Sequence, residues 1–258
     1  MSGKPATLYT GRGAELYHAI VQSDSSELRE IIRCLRGKDA RVLELAAGSG
    51  RITLAVLPFV RSVTAVDNSA ELLSILQEEL AKPERVKNAA KVDAVLADIL
   101  RLELTDQFDA VILGTTSLCL FDADQRRSLL GDIQRWLLPG GELLISLRTP
   151  ELGGSDFYVH EVSPQLAIQE SFDVTAGTFT SKLVERNDAG ERVAEYSVTT
   201  HLLTEAEFRA ELGAAGFAVA AAFDVGPRNR ADAIGNYKLF RAHASAAGAG
   251  IKEGHTHG

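Results

Sequence analysis

Residues 42–51 read Val-Leu-Glu-Leu-Ala-Ala-Gly-Ser-Gly-Arg: an apolar run stops in a glycine turn, and a helical pattern sets out at once. A buried strand followed directly by a helix must reach its next sheet neighbour by a crossover rather than a hairpin. The unit recurs. SVTAVD is a second short strand ending in Asp67. The amphipathic stretch NSAELLSILQEELAK follows, with Leu72, Ile75, Leu76 and Leu80 at helical spacing. VDAVLADI, ending at Asp98, and FDAVILGTTS read as third and fourth strands. Asp122 and Gln125 then cap the helix ADQRRSLLGDIQRWL, and a Pro139-Gly140-Gly141 turn leads into ELLISL. Strands alternating with helices predict a doubly wound α/β fold with a mostly parallel sheet. Right-handed crossovers place the strand C-terminal ends on one edge, where such sheets bind ligands.

The flanks have a different character. Residues 1–37 read as an N-terminal helical cap, with Leu16, Ala19 and Ile20 on one stripe and Asp24 and Glu27 as a capping-box pair ahead of LREIIRCL. Residues 38–150 form the core. Residues 151–203 contain QLAIQESFDV, GTFTSKLVER and ERVAEYSVTTHLL, alternating segments whose last two are joined by an Asn187–Gly190 turn. These predict an inserted antiparallel lid with one wet face. Residues 204–243 return to the core sheet through a Thr204/Glu207 capping box and two final strands. Residues 244–258 read as a disordered Ala/Gly-rich tail, whose His255 and His257 are not assigned a metal.

The whole-chain balance narrows the chemistry. A net charge of −8 argues against nucleic acid as a partner. Cys34 and Cys119 make neither a disulfide framework nor a zinc set. No signal-peptide core and no apolar run of about 18 residues is visible, so the expected setting is cytoplasmic, with no membrane partner.

A dinucleotide-binding turn would read G-x-G-x-x-G, but here Thr53 stands where the third glycine belongs. The stretch Glu44-Leu45-Ala46-Ala47-Gly48-Ser49-Gly50 instead resembles the first motif of the class I S-adenosylmethionine-dependent methyltransferases, with Ala46 replacing the first glycine. The resemblance runs closely over residues 40 to 148. It implies a Rossmann-like, seven-stranded sheet and S-adenosyl-L-methionine as cofactor, with S-adenosyl-L-homocysteine as product. It gives Asp67, followed by Asn68, the ribose hydroxyls, and Asp98 the adenine amino group, with Ile99 packed on the ring. Glu44 supports the turn with Ala46, Gly48 and Gly50. The methyl group falls near Gly114, Thr115, Thr116 and Ser117. Tyr17, in AELYHAI, closes over the cofactor's carboxylate end or serves as a core aromatic, and Arg12 is a further candidate partner for that carboxylate.

Nucleic-acid methyltransferase motifs are missing at residues 114–119, where Gly-Thr-Thr-Ser-Leu-Cys stands. The segments AELYHAI, LELAAGSGR and LGTTSLCLFDA are similar to methyltransferases of daptide-type ribosomal-peptide pathways, and the lid is similar to that of glycine- and sarcosine-type N-methyltransferases. The expected acceptor is an amine of a small molecule or a modified peptide. His160, Tyr158 and His201 are the candidate bases on the lid, and no metal is inferred. A small-molecule O-methyltransferase, a NAD-dependent oxidoreductase and a non-catalytic methyltransferase-like binding protein are the competing readings.

Overall fold

In a computed structural model the described residues are 6–22, 24–149, 156–225 and 236–244. The tail assignment for 245–258, with His255 and His257, lies outside them. Five parallel strands form most of the core sheet: β2 (Arg41–Leu45), β3 (Ser62–Asp67), β4 (Val92–Leu96), β5 (Phe108–Leu113) and β6 (Leu137–Thr149). With β11 (Phe217–Asp224) and β12 (Asn236–Ala244) they give a seven-stranded sheet of order β11-β12-β6-β5-β2-β3-β4. The strand β12 is antiparallel to both neighbours, so the sheet is mixed and mostly parallel. Its order reverses between β2 and β5.

Apolar side chains alternate between the two faces. On one face Leu43, Val111 and Leu143 pack with α6 (Ala123–Trp136) and α7 (Glu205–Ala214). On the other, Val42, Ile112 and Leu144 pack with α2 (Leu28–Leu35), α3 (Arg51–Val56) and α4 (Ala70–Leu80). Helices on both faces are why these strands read as continuous apolar runs. A short turn of helix, α5 (Val86–Ala89), precedes β4. The caps of α6 and α7 are built as their sequences predict, with reciprocal bonds between Asp122 and Gln125 and between Thr204 and Glu207.

The second sheet is the antiparallel insertion. It runs β7 (Phe157–Ser163), β8 (Leu166–Asp173), β9 (Thr178–Arg186) and β10 (Arg192–His201), with the order β1-β10-β9-β8-β7. The strand β1 (Ala6–Thr7) pairs parallel with β10, a contact absent from the sequence reading. Asn187 closes the β9–β10 turn by accepting the N–H groups of Ala189 and Glu191. Leu8 and Leu16, on either side of the start of α1 (Gly11–Val21), pack with Leu183 of β9, so the N-terminal segment is fastened to the lid as well as to the core.

Candidate active site

The C-terminal ends of β2, β3, β5 and β6 open onto a cavity of about 670 Å³. Its floor holds Ala46, Gly48, Asp67, Asn68, Thr115 and Thr116. Its roof is one face of the lid, including Ile168, Glu170, Phe179, Ser181 and Thr200. Tyr9 and Tyr17 close one side, their rings edge to face at 5.3 Å. The site thus lies at the reversal of strand order, as expected of a doubly wound sheet.

The glycine turn brings backbone to the cavity. Ala46 takes the left-handed conformation of the glycine it replaces (φ +54°), and Gly48 does likewise (φ +56°). The floor is fixed by Asp67, which accepts the N–H of Gly48 at 2.7 Å and that of Ser69 at 2.8 Å. Burial raises its pKa above the usual carboxylate value, against the pull of these N–H groups. Ser69, not Asp67, caps α4. The hydroxyl of Ser49 is buried in the turn with no hydrogen-bond partner among the described residues. A cavity-lining carboxylate and a left-handed backbone turn suit a ribosyl cofactor.

Glu44 lies beneath the turn. It takes the hydroxyl of the buried Thr53 at 2.5 Å, and burial pushes its carboxyl up to about 8. Thr53 is thus locked in place where a dinucleotide turn needs glycine. Gly50 does not line the cavity; a side chain there would collide with Leu76. The exposed Asp98 accepts the N–H of Leu100, and Ile99 is buried in the core; neither reaches the cavity wall. Gly114 stands just below the floor.

The structure does not bring the remaining candidates to the cavity. Arg12 is exposed and pairs with Glu15 at 2.7 Å and with Glu185 of the lid at 3.1 Å. Tyr158 and His160 lie opposite Glu170 and Ile168 in register, so they share the cavity face of the lid, but on its edge strand beyond the wall. His201 follows the cavity-lining Thr200, so strand alternation turns it to the opposite face. Burial pushes Tyr17 up to about 12 and Tyr9 further above its usual range, so both hydroxyls stay protonated.

Three features escaped the sequence reading. First, Glu27 stands at the start of α2 without capping it. Its wholly buried carboxylate takes Arg51 at 2.5 Å, the N–H of Thr115 at 3.0 Å and the hydroxyl of Tyr237 at 2.9 Å. Second, Thr115 and Thr116 both adopt left-handed backbone (φ +54° and +58°), which costs roughly 1–2 kcal/mol per non-glycine residue. Third, Arg148 and Glu170 form an ion pair at 3.3 Å in which both partners line the cavity, with Arg148 also over the ring of Phe179. Among the described residues no group of three or more His, Cys, Asp or Glu could hold a metal ion, and no helix is long and apolar enough to cross a membrane.

Comparison with known proteins places this geometry. Residues 42–141 match a family model described as a methyltransferase domain. A demethylmenaquinone methyltransferase of Clavibacter sepedonicus is 31% identical over 151 residues, 56% of this chain and 58% of that protein. The chain therefore spans less than two thirds of that relative's length. The CcbJ methyltransferase of Streptomyces caelestis superposes with a TM-score of 0.75 at 22% identity, covering 93% of this chain and 99% of that one, a likeness of fold. The glycopeptide N-methyltransferase MtfA, complexed with S-adenosylmethionine, gives a TM-score of 0.61 at 25% identity, covering 84% of this chain and 92% of that one. The domain spanning residues 42–141 accordingly belongs to the class I methyltransferases, whose methyl donor is S-adenosylmethionine.

Proposed function

We propose that the protein transfers a methyl group from S-adenosylmethionine to an amine of a small molecule or of a modified peptide, such as a terminal amine in natural-product biosynthesis. The observation that carries this reading is the cavity itself. It joins the glycine turn and Asp67 on the floor to a lid face that carries Glu170 and Phe179 among apolar and hydroxyl side chains, and it is large enough for a cofactor beside a small acceptor. Asp67, Asn68 and the backbone at Ala46 and Gly48 would hold the cofactor, which supplies an electrophilic methyl group when bound. The chain's own work is alignment and exclusion of water, worth up to roughly 7–11 kcal/mol for a well-placed nucleophile.

The side chains favour nitrogen over a phenol. No histidine lines the cavity among the described residues, and the tyrosines hold their protons. Burial opposes the charge on Asp24, yet the hydroxyl and N–H of Ser26 and the guanidinium of Arg51 outweigh it and keep the carboxyl below its ordinary value. The charged Asp24 in the cavity wall suits an acceptor that arrives as an ammonium ion and yields its proton to water before attack. A phenolate nucleophile would instead be repelled by the same carboxylate. The likeness to a glycopeptide N-methyltransferase points the same way. A cavity of this size accepts a small molecule or a chain end, and the reading includes a cytoplasmic setting and no nucleic-acid partner.

The test is calorimetric titration with S-adenosylmethionine and S-adenosylhomocysteine, followed by mass-shift screening of amine and phenol acceptors. Micromolar binding and a 14-dalton-type methyl increment on amines are the expected results. Methylation of phenols alone would overturn the acceptor assignment.

A further inference from the structure

The turn after β5 contains two consecutive threonines in the left-handed conformation, φ +54° and +58°. β-Branched residues avoid that region, so a neighbour must hold them there. Both backbone N–H groups are held by buried side chains. Thr115 donates to Glu27 Oε1 at 3.0 Å, and Thr116 donates to Ser146 Oγ at 3.0 Å. Tyr237 joins the two anchors, its hydroxyl 2.9 Å from Glu27 Oε2 and 3.4 Å from Ser146 Oγ. Arg51, from the end of the glycine turn, bonds both Glu27 and the hydroxyl of Thr115, the latter at 2.9 Å.

Local packing is shaped around this carboxylate. A side chain at Gly114 would lie 2.9 Å from Glu27 Oε1 and 2.3 Å from Ile52 Cδ1, so glycine at 114 makes room for the approach. Glu27 occupies the N-cap position just before α2, yet its side chain makes no capping bond. Its carboxylate instead serves Arg51, Tyr237 and the N–H of Thr115, the last on the floor of the cavity. Thr115, Thr116 and Ser117 face that cavity together with Gly48 and Asp67.

We propose that Glu27 is a positioning residue, whose carboxylate holds the Thr115–Thr116 turn in the left-handed shape that forms the reaction end of the cofactor cavity, with Ser146 as the second anchor. The inference rests on the cavity being the cofactor's and is independent of whether the acceptor is an amine. The bland reading is that Glu27 only neutralises the buried Arg51. The two readings separate on substitution. Glu27→Gln discards the charge that Arg51 needs but keeps an oxygen for the Thr115 N–H. Glu27→Ala discards both. Thr115→Gly removes the need for any anchor, because glycine adopts positive φ freely.

The experiment measures S-adenosylhomocysteine affinity by calorimetry on the full chain, at a temperature where each variant is folded by circular dichroism. Glu27→Ala is expected to weaken binding tenfold or more, Glu27→Gln to stay within about threefold of wild type, and Glu27→Ala/Thr115→Gly to recover to within about threefold. Unchanged affinity in Glu27→Ala, a loss in Glu27→Gln as large as in Glu27→Ala, or no recovery with Thr115→Gly would each overturn the proposal. Should Glu27→Ala not fold, Ser146→Ala with and without Thr116→Gly carries the same test: loss and recovery support the proposal, and unaltered affinity overturns it. Absence of binding by the wild-type protein would overturn the cofactor reading, and this inference with it.

Discussion

Two carboxylates on neighbouring strands are both pushed up by burial, but their lone pairs go to different partners. Asp67 ends β3 and accepts two backbone N–H groups while still facing the cavity. On the proposed cofactor reading, replacing it with alanine would remove the acceptor for the ribose hydroxyls, and the expected loss of S-adenosylmethionine affinity is about 1–3 kcal/mol, read by calorimetry on the folded variant. Glu44 has only Thr53, and burial raises its carboxyl from the ordinary 4.5 to about 8. Between those values the folded protein keeps a proton that the unfolded chain has released. The stability linked to that proton is present at the acid end and is lost as pH rises through the window. Glu44→Gln, neutral throughout, should therefore out-melt the wild type by a margin that widens from pH 5 to pH 8, and a flat margin would show that Glu44 is already ionised. That Asp67 and Gly48 share one cavity floor was legible because each stands at or just past the end of a strand in a local motif. Glu27 was not. Its spacing from Asp24 matches a capping box, and nothing within a turn of sequence discloses an arginine, a threonine and a tyrosine that the fold delivers from 24, 88 and 210 residues away.

Elements carry a different kind of information. Capping pairs such as Thr204 with Glu207 were readable because both partners lie in one turn, and the structure forms both reciprocal bonds. Thr204→Ala should cost about 1 kcal/mol and lower the melting temperature by about 2–4 °C, measured by thermal unfolding. Strand faces on the lid were not readable from residue type alone. His201, His160 and Tyr158 all lie on strands, but the register decides which of them turn toward the cavity and how far from it they stand. A two-residue strand such as β1 has too few positions for any period to show, and β7 escaped because FYVHEVS, with its exposed Phe157 and Val159, carries apolar residues on its outer face.

At the scale of the molecule, the cavity belongs to two sheets at once. A ligand seated between the turn at residues 46–50 and the underside of β8, β9 and β10 should slow amide hydrogen exchange in both. Mass-spectrometric exchange with S-adenosylhomocysteine is expected to protect peptides from each layer, whereas protection of the turn alone would show that the lid does not close on the cofactor. Binding at 100-fold over Kd should also stabilise the whole fold by about 2.7 kcal/mol. The core topology was legible because five apolar strands follow one another in order, three of them (β2, β3 and β5) each followed by a helix. The lid's fastening to the N-terminal segment, through β1 and the Leu8–Leu16–Leu183 contact, depends on residues about 170 to 190 positions apart.

The strand β12 lies between β6 and β11, although it is made after both. On the ribosome, every earlier core strand can be available while the edge of β6 still has no partner. Tyr237, which ties Glu27 to Ser146, is also missing until that moment. The nascent chain therefore carries an open, apolar sheet edge from the completion of β6 at Thr149 until β12 is made, the kind of edge that recruits chaperones or neighbouring chains. Translation pauses and stop codons just upstream of residue 236 should accordingly yield aggregated protein rather than a weakened enzyme.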